Sequence, residues 1–221
     1  MSYLKRIVCL ANSRKNSERC VAGLEVEGAQ LSNWVRPVSS LPMGELGLSE
    51  RKLADGSDPA LLDILEVPLL EPRPQGCQSE NHLIDRKEIW ARVGQFPRQQ
   101  LLPYCKSPNP LWINGYSSTR GLNDRIPEEQ VEKLPCSLVL VEPQQLRIEI
   151  RLEAAKLKVR AEFWLEGQKY RLGVTDPVVE AHCFTRPQGV HTYKKRAVAC
   201  VSIGEPFNGY CYKLVASIIP L

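Results

Sequence analysis

Apolar and polar positions alternate from the start of the chain. LKRIVCLA and CVAGLEVEG are strand-like, and a turn at Glu27-Gly28-Ala29-Gln30 leads to a third such stretch, LSNWVRPVS. Three β-rich segments with short basic or glycine-bearing connections predict a twisted antiparallel meander. Residues 41–60 carry Pro42, Gly44, Gly47, Gly56 and Pro59 and read as a loop with one helical turn around Ser49 to Leu53. LLDILEVPLL fits a strand ending at EPRPQG, because Pro68 is out of place in a long helix. NHLIDRKEIWARVG spaces Leu83, Ile84, Ile89, Trp90 and Val93 as a short amphipathic helix would.

Residues 95–135 are rich in proline and polar residues and form an irregular centre, with a helical turn expected at Glu128 to Lys133. From residue 136 the β pattern returns. CSLVLVEP is apolar throughout. In LRIEIRLE, Leu146, Ile148 and Ile150 face one way and Arg147, Glu149 and Arg151 the other. KLKVRAEFWLEGQKYRLGVTD reads as a hairpin turning at Glu166-Gly167-Gln168. RAVACVSIGEPF and GYCYKLVASIIPL complete the β-rich last part. There is no strand-helix alternation of the kind that builds a parallel α/β sheet, and no repeat at a fixed period. The fold class expected is mainly β: two OB-like five-stranded barrels in tandem with an irregular, partly helical central segment. The division expected is 1–135, the first barrel with the centre, and 136–221, the second. The five-stranded Greek-key barrel of this kind commonly binds oligonucleotides on its open face.

Several segments carry a family resemblance. KRIVCLANSRKNSERCVAG, NWVRPVS, PALLDILEVPLL with QSENHLID, and LGVTD followed by CVSIGEPFNGYCYKLVA resemble, in that order and over nearly the whole chain, the bacterial dual OB-containing domain family. The resemblance implies tandem OB-like barrels, nucleic-acid binding, and a setting in prokaryotic defence or mobile elements. It carries no catalytic residues.

Composition narrows the function classes. In 221 residues no apolar run approaches the roughly 18–20 needed to span a bilayer, and the opening MSYLKRIVCLANSRK lacks the shape of a signal peptide, so a cytoplasmic protein is expected. None of the eight cysteines forms a C-x-x-C pair, and several sit in apolar runs such as IVCLA and AVACVS, as reduced core thiols do. The net charge of +4 is mild, but its distribution is uneven. Residues 13–19, with Arg14, Lys15, Arg19 and Glu18, hold three cations against one acid; Tyr193-Lys194-Lys195-Arg196 holds three cations and none. Taken singly, each is the solvated loop that aids solubility; together they fit a cationic surface for nucleic acid.

NWVRPVS sets Trp34 and Arg36 on one strand face. They either close the end of a core, with Arg36 paired to an acid such as Glu25, or form a platform on which a base stacks beside a phosphate. The binding reading takes Trp34 and Arg36 with Arg14, Lys15 and Arg19 of the first hairpin loop, and Tyr193, Lys194, Lys195 and Arg196 in the second half. Trp112, Tyr116 and Arg120 repeat the aromatic-cation pairing in the centre. A protein-protein adaptor is the alternative, since barrel edges accept partner strands.

Enzyme readings are weaker, and no catalytic residue, cofactor or metal is assigned. Asp63 and Glu66 fall on opposite faces of a strand, which argues against a metal-dependent nuclease. His182 and Cys183, with His191 and Cys200 downstream, do not have the spacing of a zinc site. Asp176 before Pro177 reads as a turn. No P-loop, G-x-G-x-x-G or G-x-S-x-G occurs.

Overall fold

A computed structural model describes residues 2–221, which divide into two units, the first ending at Gln100 and the second running from Leu101 to Leu221. In the first, β1 (Tyr3–Lys15), β2 (Glu18–Glu27) and β3 (Gln30–Val38) form the expected antiparallel meander. A loop holding the short helix α1 (Leu48–Arg51) leads to β4 (Asp63–Pro72), then β5 (Asn81–Ile84) and β6 (Ala91–Gln95). β5 lies parallel to β3 and antiparallel to β4, and β4 pairs back onto β1. The order β1-β2-β3-β5-β4 therefore closes on itself. The inward positions of the alternating strands fill the barrel: Ile7 and Cys9, Val21, Val35, then Leu65, Val67 and Leu69.

The amphipathic helix expected over residues 81–94 is absent; the segment is β5, a turn and β6. Asp85 makes the turn, its Oδ1 accepting from Lys87 N at 3.0 Å, so the charged run DRKE reverses the chain instead of forming a helical face. Ile89 and Val93, which the helix would have buried, are exposed, while Trp90 is buried in the barrel core.

In the second unit, β7 (Arg125–Pro127) and α2 (Glu128–Val131) precede the strands β8 (Leu138–Val141), β9 (Gln144–Glu153), β10 (Lys156–Leu165) and β11 (Gln168–Val174). Then come α3 (Pro177–Phe184), β12 (Gly189–Thr192), β13 (Ala197–Phe207) and β14 (Tyr210–Pro220). β9, β10 and β11 form a meander, β11 runs parallel to β14, and β14 pairs with β13. Closure comes from one antiparallel ladder in two pieces. Gly189 pairs with Ile150 and Thr192 with Arg147; further along, Ala199 pairs with Val141 and Ser202 with Leu138. β8 and β9 are thus one strand interrupted at Glu142-Pro143, and β12 and β13 one strand interrupted at residues 193–196. With these joined, the second unit has the strand order and the parallel third-to-fifth joint of the first. The protein is two OB-like barrels in tandem.

The turn expected at Asp176 is the start of α3, which sequence periodicity does not reveal. The buried Asp176 carboxylate caps the helix, accepting from Val178 N at 2.9 Å and Val179 N at 3.2 Å, and it also accepts from Ile218 N at 3.3 Å. Residues 101–135, grouped with the first barrel from sequence, pack on the second. Leu122 exchanges backbone bonds with Arg171, β7 pairs with β14, and the Tyr170 hydroxyl accepts from Leu111 N at 2.9 Å.

Candidate nucleic-acid interface

The meander of the second barrel has two different faces. Val159, Ala161, Phe163 and Leu165 of β10 point into the core with Leu146, Ile148 and Ile150 of β9 and Tyr170 and Leu172 of β11. Strand alternation then sends Arg147, Glu149, Arg151 and Glu153 of β9 outward. Lys156, Lys158, Arg160, Glu162 and Trp164 of β10, and Lys169 and Arg171 of β11, share that outer face. Seven cations meet three carboxylates there, a net of four positive charges. Trp164 stands among them, 37% exposed and directly opposite Lys169.

The carboxylates order the cations. Arg160 grips Glu153 through both guanidinium arms, with Arg120 of the central segment 3.9 Å from the same carboxylate. Glu162 holds Arg171 at 2.7 Å and Lys169 at 3.1 Å. Hydrogen bonding from Arg160 keeps Glu153 below the usual carboxylate range. Burial pushes Glu162 up, but bonds from Arg171 and Lys169 and their charges outweigh it, so it too lies below that range. Both therefore stay ionised at neutral pH. Lys158 faces Arg151 across the β9–β10 ladder, a like-charge pair that Glu149, 3.2 Å from Arg151, offsets in part. The first barrel has the same device at the equivalent hairpin, where Arg14 stands opposite Arg19.

The residues singled out from sequence fare unevenly. Trp34 is partly buried. Arg36 is 3% exposed and pairs with Glu80 at 2.9 Å, an acid brought alongside by β5, and not with Glu25, which pairs with Lys5. Arg36 thus serves the interior and is not placed to meet a phosphate from solvent. Arg14 is exposed, and Lys15 and Arg19 are partly so, at the β1–β2 hairpin. Tyr193 packs against the second core, and burial raises its hydroxyl pKa. Lys194 and Lys195 are exposed where the β12–β13 strand breaks. Arg196 spans that break by a two-armed pair with Glu142. Trp112 packs on the second core and Tyr116 accepts from Gln130, so of the central trio only Arg120 reaches the charged face.

Asp63 is buried and accepts from Ala60 N at 2.9 Å, and Glu66 pairs with Arg6. His182 and Cys183 lie on α3, the former exposed and the latter buried. Burial pushes the Cys105 thiol up to about 11, so it is not a nucleophile at neutral pH. Among the described residues, no three His, Cys, Asp or Glu side chains are placed to hold a metal ion.

Comparison with known families matches the dual OB-containing domain over residues 5–218. The chain belongs to the dual OB-containing domain family. No curated protein sequence matches it. A solved structure described as "Crystal structure of the tetrameric p202 HIN2" is similar over 99% of this chain and 93% of that one, with 9% identity and a TM-score of 0.36.

In a dual OB-containing chain the faces to compare are those of the second and third barrel strands, which carry oligonucleotides in OB folds. On the first barrel this face is made by Ala22 and Leu24 of β2 with Trp34 and Arg36 of β3; Ala22, Leu24 and Arg36 are buried. On the second it is the charged Trp164 face. Sequence reading missed that face, although its signal was present: the outward half of the alternation from 147 to 171 is cationic at seven positions.

Proposed function

We propose that this protein binds single-stranded nucleic acid, RNA or DNA, without acting on it chemically. The supporting observation is the β9–β10–β11 face, where an exposed tryptophan stands in a field of seven cations on the barrel surface that OB folds use for oligonucleotides. In this reading Trp164 stacks on a base while Arg151, Lys158 and Arg171 meet phosphates, and Glu153 and Glu162 hold the arginines extended. Arg14, Lys15 and Arg19 on the first barrel and Lys194 and Lys195 on the second supply further phosphate contacts. A setting in prokaryotic defence or mobile elements belongs to the same proposal and rests on the family resemblance.

The test is fluorescence anisotropy with labelled single-stranded RNA and DNA. Trp164→Ala should weaken binding by about 1–3 kcal/mol, the worth of one stacked base. Trp34→Ala should leave it nearly unchanged. The reverse ranking would move the site to the first barrel, and no binding by the folded protein at low salt would remove the proposal.

A further inference from the structure

The two barrels differ at one edge. In the first, the start of β4 is paired on both sides: Ile64 faces Val8 of β1 and, across the other edge, Gly94 of β6. The equivalent stretch of the second barrel is β12. Val190 faces Glu149 of β9 on one side, and among the described residues no strand pairs with the other. Its polar groups point outward there. Tyr193 N donates to Leu146 O at 2.9 Å, which makes the odd-numbered residues the ones bonded to β9. The N–H and C=O groups of Val190 and Thr192 therefore face away from it. Residues 185–190 are exposed throughout, and Val190 is 59% exposed.

The geometry points to β12 as the docking edge for an extended, acidic segment of a partner protein, which would add to the second barrel the strand that β6 adds to the first. Charge selects the occupant. On the first barrel the added strand brings Arg92 to within 3.6 Å of Asp63 on the strand it joins. On the second the cations belong to the receiving side: Arg186 before β12 and Lys194 and Lys195 after it are all exposed. Main-chain bonds would give the affinity, and these cations the preference for acid. This inference concerns the β12 edge and not the Trp164 face; it shares Lys194 and Lys195 with the proposed phosphate contacts, while Arg186 belongs to the edge alone.

The probe is the labelled peptide DEVTVTVED, followed by anisotropy and by amide hydrogen exchange of the whole protein. Binding should be saturable and should slow exchange at Val190 and Thr192. Val190→Pro removes one outward N–H and leaves the β9 bonds of Gly189 and His191 in place, so it should weaken the peptide about tenfold or more. Arg186→Glu should weaken it while leaving Trp164-dependent oligonucleotide binding unchanged. Unchanged exchange at Val190 and Thr192 in the wild-type protein at millimolar peptide overturns the inference, with no reliance on a variant that folds. So does a dimer of the protein alone that Val190→Pro or Thr192→Pro abolishes, since the occupant would then be a second copy.

Discussion

Arg36 shows what a single residue can and cannot reveal. Its face was legible, because strand alternation puts it with Trp34; its partner was not. Glu80 arrives through the parallel β3–β5 pairing, a long-range contact that no local pattern announces. Losing one member of a buried pair strands the other charge, at a cost of about 3–5 kcal/mol. Arg36→Met is therefore expected to lose about that much stability in urea unfolding, while the folded fraction keeps its oligonucleotide affinity. Lys213 is a second such residue. Fully buried, it donates to Ile113 O at 2.6 Å and Asn114 Oδ1 at 3.0 Å, yet burial depresses its pKa from 10.5 to about 7. Between those values the unfolded chain carries a proton that the folded one lacks. Its contribution to stability therefore rises with pH from about 7 to 10.5 and is least favourable below 7, where both states are charged. The gap in melting temperature between wild type and Lys213→Met should change in the wild type's favour from pH 7 to pH 10; a gap independent of pH would contradict the assignment.

At the scale of elements, hairpins were the most legible features because their turn chemistry is local. Glu166-Gly167-Gln168 joins β10 to β11 as the sequence indicates. The β9–β10 hairpin is less conventional: Ala154 and Ala155 both have positive φ, 45° and 61°, where Asn-Gly is the favoured pair. Ala154→Asn with Ala155→Gly should stabilise the protein by about 1 kcal/mol in urea unfolding; no gain would mean the turn relaxes otherwise. α3 was missed because eight residues give little periodicity, although Asp176-Pro177 is the cap-and-first-turn signature that marks a helix start. Leu83, Ile84 and Trp90 mimic helical spacing, but only Ile84 of β5 and Trp90, immediately before β6, reach the core, and Leu83 is half-buried outside it. The ladder broken at Glu142-Pro143 and bridged by Arg196 made one barrel strand look like two.

For the whole molecule, fold class followed from the sequence of β-rich segments, while the site did not, because a platform is assembled from three strands and only one face of each. The two barrels have one topology and different surfaces. On the first, the equivalent face is largely buried; on the second, it is exposed, aromatic and basic, with a like-charge pair at its hairpin. Among the described residues, no helix is long and apolar enough to cross a membrane. The most direct test is the salt dependence of single-stranded oligonucleotide binding, wild type against Arg151→Gln with Lys158→Gln. Each phosphate contact contributes a slope of about −0.7 in log affinity against log salt for a single strand. A steep wild-type slope, shallower by about 1.4 in the double variant, is the result expected of a face that grips phosphates. An unchanged slope would place the phosphate contacts elsewhere and contradict the account.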